Sequence, residues 1–143
     1  MFELHPRLQA DTQSLGDLPL CRVLLAKDSQ YPWLILVPRA PGLREIHHLA
    51  PAQQQQLMQE SCAVASLMEQ ALSPDKINVA ALGNMVPQLH LHHVARFTAD
   101  RAWPGPIWGA HPAVTYEVQD LRIAADNWRA RLATLSGFSP LLD

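Results

Sequence analysis

Apolar and polar positions divide this chain into short strand-like runs, one long helical stretch and irregular connectors. Residues 20–27 are rich in β-compatible apolar side chains, and residues 33–37 form an unbroken apolar run. Asp28, Ser29, Gln30, Tyr31 and Pro32 lie between them and have turn chemistry, so two antiparallel strands joined there are the simplest account. The second strand ends at Pro38, because Arg39, Ala40, Pro41 and Gly42 continue a sheet ladder poorly. Residues 76–82 alternate enough to predict a third strand, and Gly83 and Asn84 then turn the chain into a fourth over residues 86–96.

Helical periodicity occurs in three places. Residues 6–15 predict a short helix with Leu4, Leu8 and Leu15 on one side, followed by a turn at Gly16, Asp17, Leu18 and Pro19. Residues 53–72 are strongly helical, with Leu57, Val64, Met68 and Ala71 recurring at helical spacing. Pro51 suits the first turn of that helix, and Ser73, Pro74 and Asp75 stop it. Residues 116–135 predict a last helix that places Val118, Leu121, Ala125, Trp128, Leu132 and Leu135 near one face. Between, residues 98–112 carry Trp103-Pro104-Gly105-Pro106-Ile107-Trp108, too rich in Pro and Gly for regular structure. One long helix over four or five mostly antiparallel strands is an α+β domain.

Composition matters chiefly for what it excludes. A chain of 143 residues, 48% hydrophobic and 17% charged, is one globular domain able to bury its own core. Its net charge of −2 provides no basic field for a nucleic-acid backbone, although a small phosphorylated ligand in a local pocket remains compatible. Cys21 and Cys62 lack any metal-knuckle or redox spacing and read as buried free thiols. The start of the sequence lacks a signal-peptide pattern and no stretch is long enough for a membrane span, so a soluble, cytoplasmic protein with no membrane partner is expected.

The candidate chemistry lies in residues 86–96. With the two-residue period of a strand, Gln88, His90 and His92 project to one face while Leu89, Leu91 and His93 project to the other. Three readings follow for His90 and His92: polar strand residues without a task, two ligands of one metal ion, or a nucleophile with a neighbour that manages charge. The metal reading wants a third ligand, for which Gln88, Asp100 and His111 are the nearby candidates. Neutral imidazole is nucleophilic near pH 7, which favours chemistry at phosphorus.

Gln88-Leu89-His90-Leu91-His92-His93-Val94 resembles the signature of the histidine triad (HIT) superfamily, in which three histidines alternate with apolar residues. The likeness extends upstream: Leu24 to Asp28 and Leu34 to Arg39 are similar to the family's acidic hairpin and following strand, and Ile77-Asn78-Val79 to its asparagine-bearing strand. It covers residues 20–96 of a single domain spanning 1–143, leaving a C-terminal extension at 97–143. The Trp103-Pro104 segment is similar to one that follows the triad in some branches.

The resemblance implies a nucleotidyl hydrolase or transferase. His90 would attack the α-phosphorus of a purine nucleotide conjugate, either a dinucleoside polyphosphate such as diadenosine tetraphosphate or a nucleoside phosphoramidate, giving a nucleotidyl-histidine. His92 would donate to a phosphate oxygen or the departing group, Asp28 would hold the ribose hydroxyls, and Asn78 would line the phosphate and ribose side. Asn84 and Met85 would present an amide or backbone N–H groups to phosphate, and Leu25 and Ile35 would sandwich the purine. No cofactor is required, with a divalent cation compatible with a polyphosphate substrate. The family also implies a homodimer through the long helix and a strand edge, near Met58 and Leu72, with residues 103–108 able to cross to the partner.

Departures bear on activity. Gln88 replaces the first triad histidine and cannot relay a proton near neutrality. Trp33 stands where many members carry a histidine, His93 replaces an apolar residue, and Arg96 is placed to reach a polyphosphate or to cap its strand. The alternative function is a nucleotide-binding HIT-like protein with little turnover.

Overall fold

A computed structural model describes residues 1–142. Helix α1 (Pro6–Asp11) starts with Pro6 in its first turn, where a missing N–H costs nothing, and with His5 Nδ1 accepting from the Arg7 N–H at 3.1 Å. It stops where Thr12 turns its hydroxyl back onto the Leu8 carbonyl, 2.6 Å away. Strand β1 (Thr12–Asp17) follows directly, so the helix expected over residues 6–15 is half strand. The helical spacing of Leu4, Leu8 and Leu15 was coincidental. Leu4 and Leu8 pack on one side of the sheet, whereas Leu15 is fully buried on the other. The expected turn at Gly16–Pro19 is displaced too: Gly16 and Asp17 belong to β1, and Leu18 N–H closes the turn onto the Cys21 carbonyl at 2.8 Å. At Gly16 an added Cβ would meet the Phe138 ring at 2.4 Å, so only glycine fits.

Strands β2 (Cys21–Ala26) and β3 (Trp33–Pro38) form the expected hairpin, Leu24 opposite Ile35 and Leu25 opposite Leu34. A single 3-10 turn (Ile46–His48) leads to α2 (Pro51–Leu72), whose buried side chains are Leu57, Glu60, Ser61, Val64 and Met68. Strand β4 (Lys76–Ala80) pairs antiparallel with β5 (Leu91–Arg96), which in turn pairs with β3. Helix α3 (Val118–Leu132) and the short β6 (Ser139–Pro140) complete the chain. The sheet has six strands in the order β4-β5-β3-β2-β1-β6, every pairing antiparallel, so β1 and β6 extend the four or five expected. Residues 98–112 are irregular, as their composition requires.

Side-chain alternation sorts the sheet into two faces. Cys21, Val23, Leu25, Leu34, Leu36, Leu91 and Ala95 point to α2 and α3 and share a core with Leu57, Val64, Met68, Trp128 and Leu132. Two polar contacts pin α2 to this face. Buried Glu60 accepts the backbone N–H groups of Leu20 and Cys21, both at 2.8 Å, and Ser61 Oγ lies 2.7 Å from His93 Nε2. Burial and the adjacent Glu60 push the Cys21 thiol well above its ordinary range, so it is an inert core group. Cys62, expected to be buried, is exposed on the outer side of α2.

The opposite face carries Leu24, Ala26, Trp33, Ile35, Val37, His92 and Val94. It is covered only in part, by Leu4 and Leu8 from the N-terminus and by Ile107 and Trp108 from the extension. The uncovered remainder is a cleft. Among the described residues, no helix is long and apolar enough to cross a membrane.

Candidate active site

The cleft encloses about 760 Å³ and draws its walls from four separate parts of the chain. Leu8, Ala26 and Ile35 give it an apolar region, and Asp28 lies at the end of β2. Asn84 and Met85 border it from the β4–β5 connection, and Trp108 and His111 from the extension. His90 and His92 both line it.

The histidine row is not one continuous strand. β5 begins only at Leu91, and residues 86–90 run as a loop because Pro87 lacks an N–H and Leu89 N–H is given to the Leu43 carbonyl at 2.9 Å. Gln88 accordingly does not reach the cleft. Its Oε1 accepts from the His5 N–H at 2.8 Å and its Nε2 donates to the Glu3 carbonyl at 2.9 Å, clamping the N-terminal segment beside the loop. Its backbone carbonyl does face the chemistry, 2.6 Å from His90 Nδ1.

That contact fixes a tautomer. A carbonyl only accepts, so His90 Nδ1 carries the hydrogen and Nε2 keeps its lone pair. For His92 the assignment is reversed. The Trp33 indole N–H can only donate, and it lies 3.0 Å from His92 Nδ1, so the hydrogen of His92 sits on Nε2. The two rings are 4.8 Å apart, edge to face at 73°. Side by side in one cleft are therefore an imidazole with a free lone pair and an imidazole with an N–H donor.

Burial holds both neutral. It pushes His90 below the ordinary histidine range, against the raising effect of the Gln88 carbonyl, and carries His92 down to about 3 with help from His90 and His93. On the helix-facing side, burial lowers His93 to about 4. Unfolded histidines titrate near 6.5, so below that pH the unfolded chain binds protons that the folded chain refuses, and stability falls as pH falls from about 6.5 toward 4. His93 alone contributes on the order of 2 kcal/mol of this loss at pH 5. Thermal unfolding of wild type should shift several degrees downward from pH 7 to pH 5, and His93→Gln should flatten that dependence; an unchanged slope in the variant would assign the acid sensitivity elsewhere.

Asp28 is buried, and its Oδ1 accepts from Gln30 N–H (3.1 Å), Gln30 Nε2 (3.0 Å) and Val114 N–H (3.3 Å). Those bonds seat the extension across the β2–β3 turn and leave Oδ2 without a protein partner among the described residues. Asn78 is elsewhere: its Oδ1 accepts from Arg96 Nη1 at 2.8 Å, and it does not line the cleft. Leu25 is enclosed in the helix-side core and cannot touch a ligand, whereas Ile35 lines the cleft. Arg96, 2% exposed, is bidentate to Asp100 (2.8 and 3.1 Å) and also donates to the Gly105 carbonyl. It is not available to a polyphosphate. Its guanidinium lies 5.7 Å from the Trp103 ring, so residues 103–108 are held by their own chain. Leu72 is likewise partly buried against its own core, while Met58 is exposed. Among the described residues, no group of three or more His, Cys, Asp or Glu side chains is arranged to hold a metal ion.

The structure thus brings together Asp28, Asn84, Met85, His90 and His92, and excludes Gln88 and Asn78 side chains. Sequence reasoning missed the wall formed by Ile107 and Trp108 and the donor role of Trp33. The apolar residues of the extension were visible, but nothing in their spacing said which face they cover.

A HIT domain model matches residues 7–99. Among solved structures, a histidine triad protein from Marinobacter aquaeolei is 52% identical, covering 92% of this chain and 93% of its own, with a TM-score of 0.85. One from Bradyrhizobium japonicum is 45% identical over 92% and 96%, TM-score 0.85, and one from Sinorhizobium meliloti is 39% identical over 93% and 96%, TM-score 0.86. No curated protein matches. The chain belongs to the HIT family, whose members are typically nucleotide-binding hydrolases and transferases.

Proposed function

We propose that this protein is a nucleotidyl hydrolase or transferase acting at the α-phosphorus of a purine nucleotide conjugate, with Gln88 standing at the first triad position. The observation that carries this reading is the pair of oppositely fixed tautomers. His90 Nε2 attacks phosphorus, forming an N–P bond as the bond to the leaving group breaks, while Nδ1–H stays on the Gln88 carbonyl and shares the positive charge that develops on the ring. His92 Nε2–H donates to a phosphoryl oxygen as its charge builds. Water or another acceptor then displaces His90 and releases the nucleoside monophosphate. Incubation with a dinucleoside polyphosphate and with a nucleoside phosphoramidate, followed by an alkaline denaturing quench that preserves the acid-labile N–P bond and then mass analysis, should trap a nucleotidyl adduct on His90; no adduct and no turnover with either class would refute the reading.

The ribose hydroxyls are assigned to Asp28 Oδ2, and the base to the apolar region by Leu8, Ala26 and Ile35. Asp28→Asn keeps an acceptor for Gln30 and Val114 but loses the charge, so binding of a nucleoside monophosphate should weaken about 10- to 100-fold. Calorimetric titration of a ribo- and 2′,3′-dideoxynucleotide pair checks this, since the variant should no longer distinguish them. A homodimer along the open edge of β4, where Val79 is exposed, belongs to the same proposal and is checked by light scattering. A binding module with little turnover is the second reading, favoured by the one fact that Gln88 supplies no third imidazole. It requires wild type to be no faster than His90→Gly.

A further inference from the structure

We propose that Trp33 locks His92 as a permanently neutral hydrogen-bond donor and thereby restricts the site to conjugates whose leaving group departs as a weakly basic phosphate oxyanion, rather than as an amine. This inference rests on the nucleotidyl-transfer reading and narrows its substrate class to phosphoanhydrides.

The geometry is specific. An imidazolium carries hydrogens on both ring nitrogens, but His92 Nδ1 faces the Trp33 indole N–H at 3.0 Å, and an indole nitrogen has no acceptor role to exchange. Protonating Nδ1 would set two donors head to head. Relief by movement is blocked on both sides. Trp33 packs within the apolar clusters of the cleft face and stands edge-on to Trp108, ring centres 6.4 Å apart at 88°. The His92 ring is held between Trp33 at 5.6 Å and Trp108 at 5.3 Å. A histidine at position 33 would behave differently, because imidazole can accept as well as donate.

Among the described residues, no carboxylate is hydrogen-bonded to this ring. Its ionisable neighbours are His90 beside it in the cleft and His93 next along β5, both of which oppose its protonation. Of the other titratable groups lining the cleft, Arg7, Asp11, Lys27, Asp28 and His111, none hydrogen-bonds His92. His111 Nε2 is directed at the Arg101 carbonyl, 3.3 Å away. The depressed basicity of His92, about 3, agrees with the geometry.

The chemical consequence follows from where the electrons go. When His90 Nε2 attacks an anhydride, the P–O bond breaks and its pair leaves on a phosphate oxygen, which is stable as an anion and needs no proton. When it attacks a phosphoramidate, the P–N pair would leave on nitrogen as an amide anion unless a proton arrives in the transition state. A neutral imidazole could supply one only by becoming an imidazolate, for which it is far too weak an acid. His92 can therefore stabilise phosphoryl charge but cannot protonate a departing amine.

The experiment has two arms. In the first, nitrogen-15 NMR of the labelled wild-type protein follows His92 between pH 5 and 8; it should remain the Nε2–H tautomer throughout. In the second, kcat/KM is compared for a dinucleoside polyphosphate and an N-alkyl phosphoramidate of the same nucleoside, and the anhydride should be favoured by at least about 10²-fold, the usual size of lost acid catalysis. Trp33→Phe keeps a ring but removes the donor: His92 should begin to titrate, and phosphoramidate turnover should rise relative to anhydride turnover as pH falls. A wild-type His92 that protonates above pH 5, or a phosphoramidate used as well as the anhydride, would overturn the inference while leaving nucleotidyl transfer intact. Turnover of neither substrate would instead overturn nucleotidyl transfer, and the substrate assignment with it. Should Trp33→Phe fail to fold, the wild-type arms still decide.

Discussion

His90→Gly should lower turnover by on the order of 10⁴-fold or more while leaving nucleoside monophosphate binding within a few-fold of wild type. The asymmetry follows from what His90 does in the folded protein. Its Nδ1–H is bonded to a carbonyl of the preceding loop and its ring lines the cleft that His92 shares, so the proposed mechanism uses it as a nucleophile rather than a grip. The grip is assigned to Asp28 and the apolar region, which the substitution leaves untouched. Without the ring, water must attack phosphorus directly, and one difficult displacement is no longer divided into two easier ones. Residual activity would report the help that His92 still gives to developing charge. The glycine also leaves a ring-sized space beside the Gln88 carbonyl, so added imidazole should restore part of the rate in the variant and none in wild type. Single-turnover kinetics with a radiolabelled nucleotide conjugate checks both statements. Loss of binding in parallel with loss of rate would mean that His90 supports the pocket instead of acting in it.

Arg96→Leu should be the most destabilising single change in the sheet, costing about 3–5 kcal/mol. Arg96 is 2% exposed and bonds Asp100 through two nitrogens, Asn78 through a third contact and the Gly105 carbonyl through a fourth. Removing it strands the Asp100 carboxylate, whose pKa the Arg96 hydrogen bonds hold below the ordinary value, with backbone N–H groups of Phe97, Ala102 and Trp103 as its remaining partners. Lysine would not substitute, because a point charge cannot fill the forked geometry. Against a total stability of roughly 5–15 kcal/mol for a domain of ordinary size, such a loss is a large fraction. Urea unfolding should show it as a lower midpoint, and Arg96→Leu combined with Asp100→Leu should recover part of it. Recovery would show that the stranded charge, rather than lost packing, dominates. Activity should fall in the single variant as well, since Gly105 leads into the segment that brings Trp108 to the cleft.

How much of this was legible in the sequence differs by element. The β2–β3 hairpin, α2 and β5 were readable because each has one periodicity and one buried face. β5 was correctly divided, with His92 toward the cleft and His93 toward α2, since strand alternation needs no tertiary information. The N-terminus misled because leucines at positions 4, 8 and 15 fit a helix equally well, and only the sheet edge offered by β2 favours extending residues 12–17. Gln88 was placed in the row by the same alternation, but Pro87 and the Leu43 carbonyl keep the ladder from starting before Leu91, and the side chain turns to residues 3 and 5. Asn78 and Arg96 look like ligand-binding residues in isolation; that they satisfy each other depends on the register of β4 against β5, which no local pattern encodes. The tautomer of His92 depends on a pairing across two strands, and the wall at Trp108 on how an irregular segment folds back.

The Gln88 clamp and the Asp28–Val114 bond join parts of the chain that are more than eighty residues apart. Such long closures carry a larger loop-closure entropy than the short β2–β3 hairpin does. The cleft is thus walled on two sides by segments held through contacts remote in sequence, while the strands that form its floor pair with one another independently of either wall.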